Sequence, residues 1–324
     1  LIKENGLLAM INMHSWMFLK SYELLRNKII NKKTIINMMH LGARAFDSIG
    51  GEVVQTVAFI FKNTVLKNYD ASFIRLINSE EKEYDFLNNK NKVLHIYSNA
   101  KFKKIPGYVI GYWASDNLIN NFENNQRINT MSINTGSQNI TSDNSKYLRF
   151  FWEIKNFDVG KDKKWVFYAK GGEYRKYYGN INLVVKWDEE SRNFYKTNKT
   201  SNLLNPDLWY EEGITYTLIT SKGPNFRYLP KDNIFDKGGP SIVKIENNLV
   251  YYLLGLLNSK IAEYYFRVLN PTLNLQVNDV NQLPIIVEQN TVEIKKMVEN
   301  NINISKNDWD SFETSWDFLR HPLV

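Results

Sequence analysis

The 324-residue chain has no cysteine, only four histidines, and no apolar run of membrane-spanning length. Without cysteine there are no disulfides, thiolate zinc sites or cysteine nucleophiles, which suits a reducing cytoplasm. Four scattered histidines leave little for a histidine-based metal centre. Short apolar segments argue against a membrane partner, and the opening LIKENGLLAMINM carries no signal-peptide cleavage site. A cytoplasmic location is expected.

The composition is that of a folded protein: 43% hydrophobic and 14% aromatic residues exclude disorder as the main state. A net charge of +7 favours an anionic partner such as nucleic acid or acidic lipid. The length exceeds what one core usually holds, so two domains, or one and part of a second, are expected. The chain begins in what reads as the end of a helix and stops just after an aromatic-rich segment, HPLV closing it, as an excised piece of a longer protein would.

Along the chain, LLAMINM (7–13) reads as a strand buried on both faces of a parallel sheet, and SYELLRNKIIN (21–31) as a helix with Ser21 as its N-cap. TIINMM (34–39) and VVQTVAFIF (53–61) read as two further strands, completing the pattern of the closing half of a doubly wound α/β sheet. The loop HLGARAFDSIGG lies between them, at a carboxyl edge where such sheets bind ligands. Residues 64–106 read as a charged helical connector ended by Pro106 and Gly107. Short aromatic and β-branched runs follow to about residue 290, the pattern of a mainly β, mixed domain. Within it, NLVYYLLGLLNSKIAEYYFRVL reads as one buried helix.

KGGEYRKYYGN (170–180) sets two adjacent glycines among cations and tyrosines. Gly171 and Gly172 allow positive φ or a close backbone approach, while Lys170, Arg175, Lys176 and Tyr177 offer charge and a stacking face. Phosphates and bases call for both. A solvated hairpin turn is the plain alternative. Arg149 in KYLRFFWEI, and Lys222, Asn225 and Arg227 in SKGPNFRY, complete the candidate DNA-binding set, since arginine reads guanine, asparagine reads adenine and lysine holds phosphate. His14 and His40 read as satisfied core or edge histidines, not catalytic bases. Asn270-Pro271 and Pro284 read as structural turns.

Three sets of motifs together carry a resemblance. They are MHSWMFLKSYELLR with HLGARAFDSIGGEVVQTVAFIF; NTGSQNITSDNSKYLRFFWEI with KGGEYRKYYGN; and IFDKGGPSI with LNSKIAEYYFRVLNPTLNLQVNDVNQLPI, closed by SFETSWDFLRHPL. In wording and order, over nearly the whole chain, these resemble the PglX-type adenine-specific DNA methyltransferases of BREX phage-defence systems, and more distantly the type IIG restriction–modification enzymes.

The resemblance implies an α/β fold, a partial Rossmann-like methyltransferase sheet, followed by a mixed α+β target recognition domain. Residues 1–65 would be the C-terminal part of the catalytic domain, 66–106 the helical connector, 107–290 the recognition domain and 291–324 the start of a C-terminal helical region. It implies a parent that transfers a methyl group from S-adenosylmethionine to adenine N6 in double-stranded DNA, with room for other phage-defence subunits as partners. The family's glycine-containing cofactor loop and its Asn-Pro-Pro-Tyr motif are not in the chain, and NPDL (205–208) and NPTL (270–273) lack the second proline and the aromatic. No cofactor is therefore expected on this piece, and no activity from it alone. Phe46 aligns with the ring that stacks on the extrahelical adenine, against the alternative of a core residue capping the sheet. A piece of a type IIG restriction enzyme and a non-catalytic DNA-specificity module remain the rival readings.

Overall fold

The computed structural model describes residues 2–46, 54–134, 138–219, 222–246, 249–272, 275–286 and 291–324. The chain divides into two compact units, Leu1–Asn125 with Arg267–Pro271, and Gln126–Phe266 with Thr272–Val324. Residues 107–125 thus belong with the first unit and 291–324 with the second, a different division from the one the composition shift suggests. No helix among the described residues is long and apolar enough to cross a membrane.

The first unit is built on a five-stranded sheet: β1 (Leu7–Met13), β2 (Thr34–Gly42), β3 (Thr56–Lys62), β4 (Asp70–Arg75) and β5 (Leu94–Ser98), in the order β1-β3-β2-β4-β5. β3 runs antiparallel between β1 and β2, which are therefore parallel to each other, and β4 is parallel to β2. The first residues expected in β3, including Val53, lie outside the described residues. Alternate residues of β3, Val57, Phe59 and Phe61, are buried. Phe59 and Phe61 stack at 4.3 Å, with Trp16 edge-on to both. Each such ring contributes roughly 1.5–3 kcal/mol by burial.

Three expectations are corrected here. β1 is a strand, but it is an exposed edge paired antiparallel to β3, with Leu7, Met10, Ile11 and Met13 all exposed. Apolar hollows lie on both of its sides, one along Ala9, Ile11, Ala58 and Ile60, the other along Leu8, Asn12, Phe59 and Phe61. Next, the helix spans Glu23–Lys32 with Tyr22 at its N-cap and no side-chain cap bond, because Ser21 sits in a 3-10 turn. Its anchor is the buried Arg26, whose guanidinium donates to the carbonyls of Trp16, Leu19 and Gly107. Finally, residues 66–106 are no helical connector: β4 and β5 extend the sheet, leaving short helices at Lys82–Asn88 and Lys90–Val93 and a 3-10 helix at Asn99–Lys104. DASFIR pairs on both edges, with Ala71, Phe73 and Ile74 buried, and that pairing overrides the helical spacing around it.

The second unit is mixed α+β. One sheet has the order β13-β9-β10-β8, from β8 (Leu148–Phe150), β9 (Trp165–Ala169), β10 (Leu183–Lys186) and β13 (Asn233–Phe235). Another has the order β12-β11-β14-β7, from β7 (Ile133–Asn134), β11 (Gly213–Thr215), β12 (Arg227–Leu229) and β14 (Ser241–Val243). A two-stranded ribbon pairs β6 (Gln126–Arg127) with β15 (Pro284–Ile285). Tyr168, Val185, Trp187, Tyr195, Leu229 and Phe235 form the main core. The long apolar helix breaks into Val250–Leu257 and Lys260–Leu269, because Asn258 turns its amide onto the backbone of Phe226 (3.1 and 2.9 Å) and the Ser259 hydroxyl accepts from the amide of Ala262.

Candidate functional site

At the carboxyl edge of the first sheet, the parallel strands β1, β2 and β4 end, with β3 lying between β1 and β2, and α/β folds place ligands beyond such ends. His14 follows β1 directly, His40 lies two residues before the end of β2, and Arg75 closes β4. Phe46 stands in the loop after β2 and is 42% exposed. The remainder of that loop lies outside the described residues.

His14 and His40 are buried and bonded to each other, Nδ1 to Nε2 at 2.8 Å, and His40 Nδ1 meets the Tyr112 hydroxyl at 3.2 Å. Burial pushes the His14 pKa down to about 4 and that of His40 to about 3, with the charges of His14 and Arg75 adding to the latter. Both rings are uncharged at neutral pH. The Arg75 guanidinium lies over the Trp113 ring at 4.4 Å, and its Nη1 is enclosed with no partner. Arg75, Tyr112 and Trp113 were not among the residues singled out by sequence; the one signal was a cation following the apolar pair Phe73-Ile74. Among the described residues no group of three metal-ligating side chains occurs.

The DNA-binding candidates of the second unit are largely turned inward. Asn225 is fully buried: its Oδ1 accepts from the amide of Thr217 at 2.7 Å and its Nδ2 donates to that residue's carbonyl. It imitates a strand neighbour and has no edge left for adenine. Arg227 is 1% exposed and donates to the Asn225 carbonyl and the Thr217 hydroxyl, with Nε enclosed and unpaired. Burial, then the charge of Arg175, lowers its pKa to about 10. These two residues are corrected from DNA readers to parts of the frame.

KGGEYRKYYGN proves to be a seam. Lys170 pairs at 3.1 Å with Asp236, which also accepts from the Tyr168 hydroxyl. Arg175 pairs with Asp308 and lies over Trp309 at 5.1 Å. Lys176 donates to the carbonyl of Asn258 at 3.0 Å, at the end of the helix Val250–Leu257, a cation placed where the helix dipole favours one. The Tyr177 backbone, at φ +68°, bridges Phe226 and Tyr228. Arg149 is half-buried and donates to the carbonyls of Ser145 and Leu148. Lys222 is exposed, its ammonium over the Tyr174 ring at 5.9 Å. NPDL is a local turn in which Asn205 accepts from the amide of Asp207.

No family model matches the chain. It is 41% identical over 333 aligned residues to the adenine-specific methyltransferase BrxX of Escherichia coli O9:H4 (strain HS), covering all of this chain and 27% of that protein. It is 33% identical over 348 residues to the adenine-specific methyltransferase PglX of Lacticaseibacillus casei (strain Zhang), covering 29% of it. Among solved structures, the type IIL restriction–modification enzyme MmeI, determined in complex with DNA, matches with a TM-score of 0.59 at 13% identity over 98% of this chain and 44% of that one. That likeness is one of fold. The chain spans less than a third of either curated relative, yet every part of it aligns with both, so along its whole length it is similar to the adenine-specific methyltransferases BrxX and PglX.

Proposed function

We propose that the chain is part of a DNA adenine-N6 methyltransferase of a phage-defence system, its first unit closing the catalytic sheet and its second reading the DNA target. The observation that carries this reading is Phe46, an exposed ring at the carboxyl edge of β2, in a chain homologous throughout to adenine-specific methyltransferases. An adenine pulled from the duplex loses its stacking and recovers it against such a ring. The exposed apolar sides of β1 support the same reading, since in the parent the rest of the catalytic sheet would cover them.

The described residues do not fit a site for S-adenosylmethionine: they present no glycine loop at a helix start, and their Asn-Pro segments are not catalytic motifs. Cofactor binding is assigned to other parts of the parent, and the chain alone is expected to incorporate no labelled methyl group into DNA. On the second unit the DNA grip is assigned to Lys222 above Tyr174, with Arg149 on its edge strand β8. Lys176 and Tyr177 serve the seam first. MmeI shares the fold, which keeps a restriction–modification parent as the second reading; cleavage of unmethylated DNA by the parent would favour it.

The test uses the full-length parent and the site named by methylome sequencing. Phe46→Ala is expected to slow methyl transfer about 10- to 100-fold, the scale of one lost base–ring stack, with duplex affinity held within about twofold. Equal loss of both would deny the stacking role. Lys222→Ala is expected to leave the site unchanged and lower the salt slope of binding by about one unit; an unaltered slope would remove Lys222 from the interface.

A further inference from the structure

His14, His40 and His95, three of the four histidines in the sequence, gather around Tyr112. The polarity of their hydrogen bonds can be worked out. A guanidinium only donates, and Arg75 lies against the Tyr112 hydroxyl, drawing its pKa down by charge and by a hydrogen bond while burial raises it more strongly. The guanidinium cannot take the proton of this buried phenol, and the hydroxyl lies 3.2 Å from His40 Nδ1, so its single O–H is given to His40 Nδ1. The reverse arrangement would bury that O–H without an acceptor. A neutral imidazole carries one donor and one acceptor, so His40 holds its proton on Nε2 and gives it to His14 Nδ1. The proton of His14 must then sit on Nε2. That atom has no partner among the described residues, and it is not one of the fully enclosed unpaired atoms.

We propose that Arg75, Tyr112 and His40 are positioning residues that hold His14 as an uncharged imidazole, offering its Nε2–H at the carboxyl end of β1 to a ring nitrogen of the extrahelical adenine. This rests on the methyltransferase reading above. An uncharged donor suits the lone pair of an aza-nitrogen. A phosphate would call for a cation, and the nearby cation, Arg75, is turned onto Trp113 and Tyr112.

The experiment uses the full-length parent with its cognate duplex, carrying adenine or 1-, 3- or 7-deazaadenine at the target. His14→Phe keeps a ring and removes both nitrogens. It is expected to lower kcat about tenfold, with KM for DNA within about twofold, and His14→Gln, which supplies an uncharged N–H, should recover part of the loss. Tyr112→Phe frees the tautomers and should lower kcat about threefold. One of the deaza substrates should slow the unchanged enzyme about tenfold and the His14→Phe enzyme no further. If no deaza substrate couples to His14, or if kcat per folded molecule is unchanged while the melting temperature falls, the histidines are structural and the proposal is wrong. Should His14→Phe not fold, the deaza series on the unchanged enzyme and His14→Gln still decide. Absence of methyl transfer by the unchanged parent on any DNA would instead overturn the methyltransferase reading, and this proposal with it.

Discussion

Lowering the pH from 7 to 5 is expected to destabilise the folded chain by about 2 kcal/mol for each of His14 and His40. In the unfolded chain each imidazole titrates near 6.5, whereas burial holds the folded values near 4 and 3. Between those limits the unfolded state binds protons that the folded state refuses. Stability from the pair is therefore complete above about pH 6.5 and is lost progressively as the pH falls toward the folded values. The groups facing the pair reinforce this direction: Arg75 is a cation, His95 is itself pushed down by burial and by Arg75, and Tyr112 stays protonated. Urea midpoints followed by circular dichroism at pH 7, 6 and 5 would test it against the double variant His14→Asn, His40→Asn. The quantity to compare is the steepness of the pH dependence, since the variant starts lower. Parallel curves for the two proteins would show that the pair is not buried in the neutral form.

The regular elements that the sequence announced are those whose burial is local. TIINMM is a strand, and Val57, Phe59 and Phe61 alternate as a sheet requires. Where burial depends on distant chain, the same rules mislead. LLAMINM is as apolar as a central strand, yet it lies at an exposed edge with nothing described to cover it. DASFIR is a strand because β2 and β5 flank it, a fact no window of charged helical spacing contains.

The candidate site divides in the same way. The place of Phe46 was legible because it lies in a loop between two recognisable strands. Arg175 and Lys176 were not, because their partners Asp308 and Asn258 lie 133 and 82 residues further along. A cation beside glycines and tyrosines has one composition whether it meets phosphate or a distant carboxylate. Asn225 and Arg227 show the same ambiguity, since the amide and guanidinium that could read a base here complete the backbone of Thr217 and Asn225. Resemblance located the family, and only the packing told frame from surface.

The glycines of the KGGEYRKYYGN seam give the second large effect. KGGEYRKYYGN and IFDKGGPSI meet because β9 and β13 run parallel and continue beyond their ends, Asp236 donating its amide to the Ala169 carbonyl at 2.8 Å. Gly171, at φ +86°, would set a Cβ 2.7 Å from the carbonyl oxygen of Gly238, and Gly239 would set one 2.9 Å from the Ala169 oxygen, 2.9 Å from the Lys170 carbonyl carbon and against the amide of Gly171. These neighbours are backbone, so no rotamer can yield, and relief requires the two strands to part. Parting them would also disturb Asp236, which holds Lys170 and the Tyr168 hydroxyl. Gly239→Ala is therefore expected to destabilise the second unit by about 3 kcal/mol or more. Gly238→Ala, whose Cβ would stand 3.1 Å from the Asp236 carboxylate and 3.3 Å from the Lys170 oxygen, needs only a small shift and should lose roughly 1 kcal/mol. Thermal melting and soluble yield of the two variants separate these cases. Equal melting temperatures for Gly239→Ala and the unchanged chain would mean that the backbones do not approach so closely. In the parent, Gly239→Ala should lower stability and DNA affinity together, whereas Lys222→Ala should change the salt slope alone, the difference between losing the frame and losing one contact on its surface.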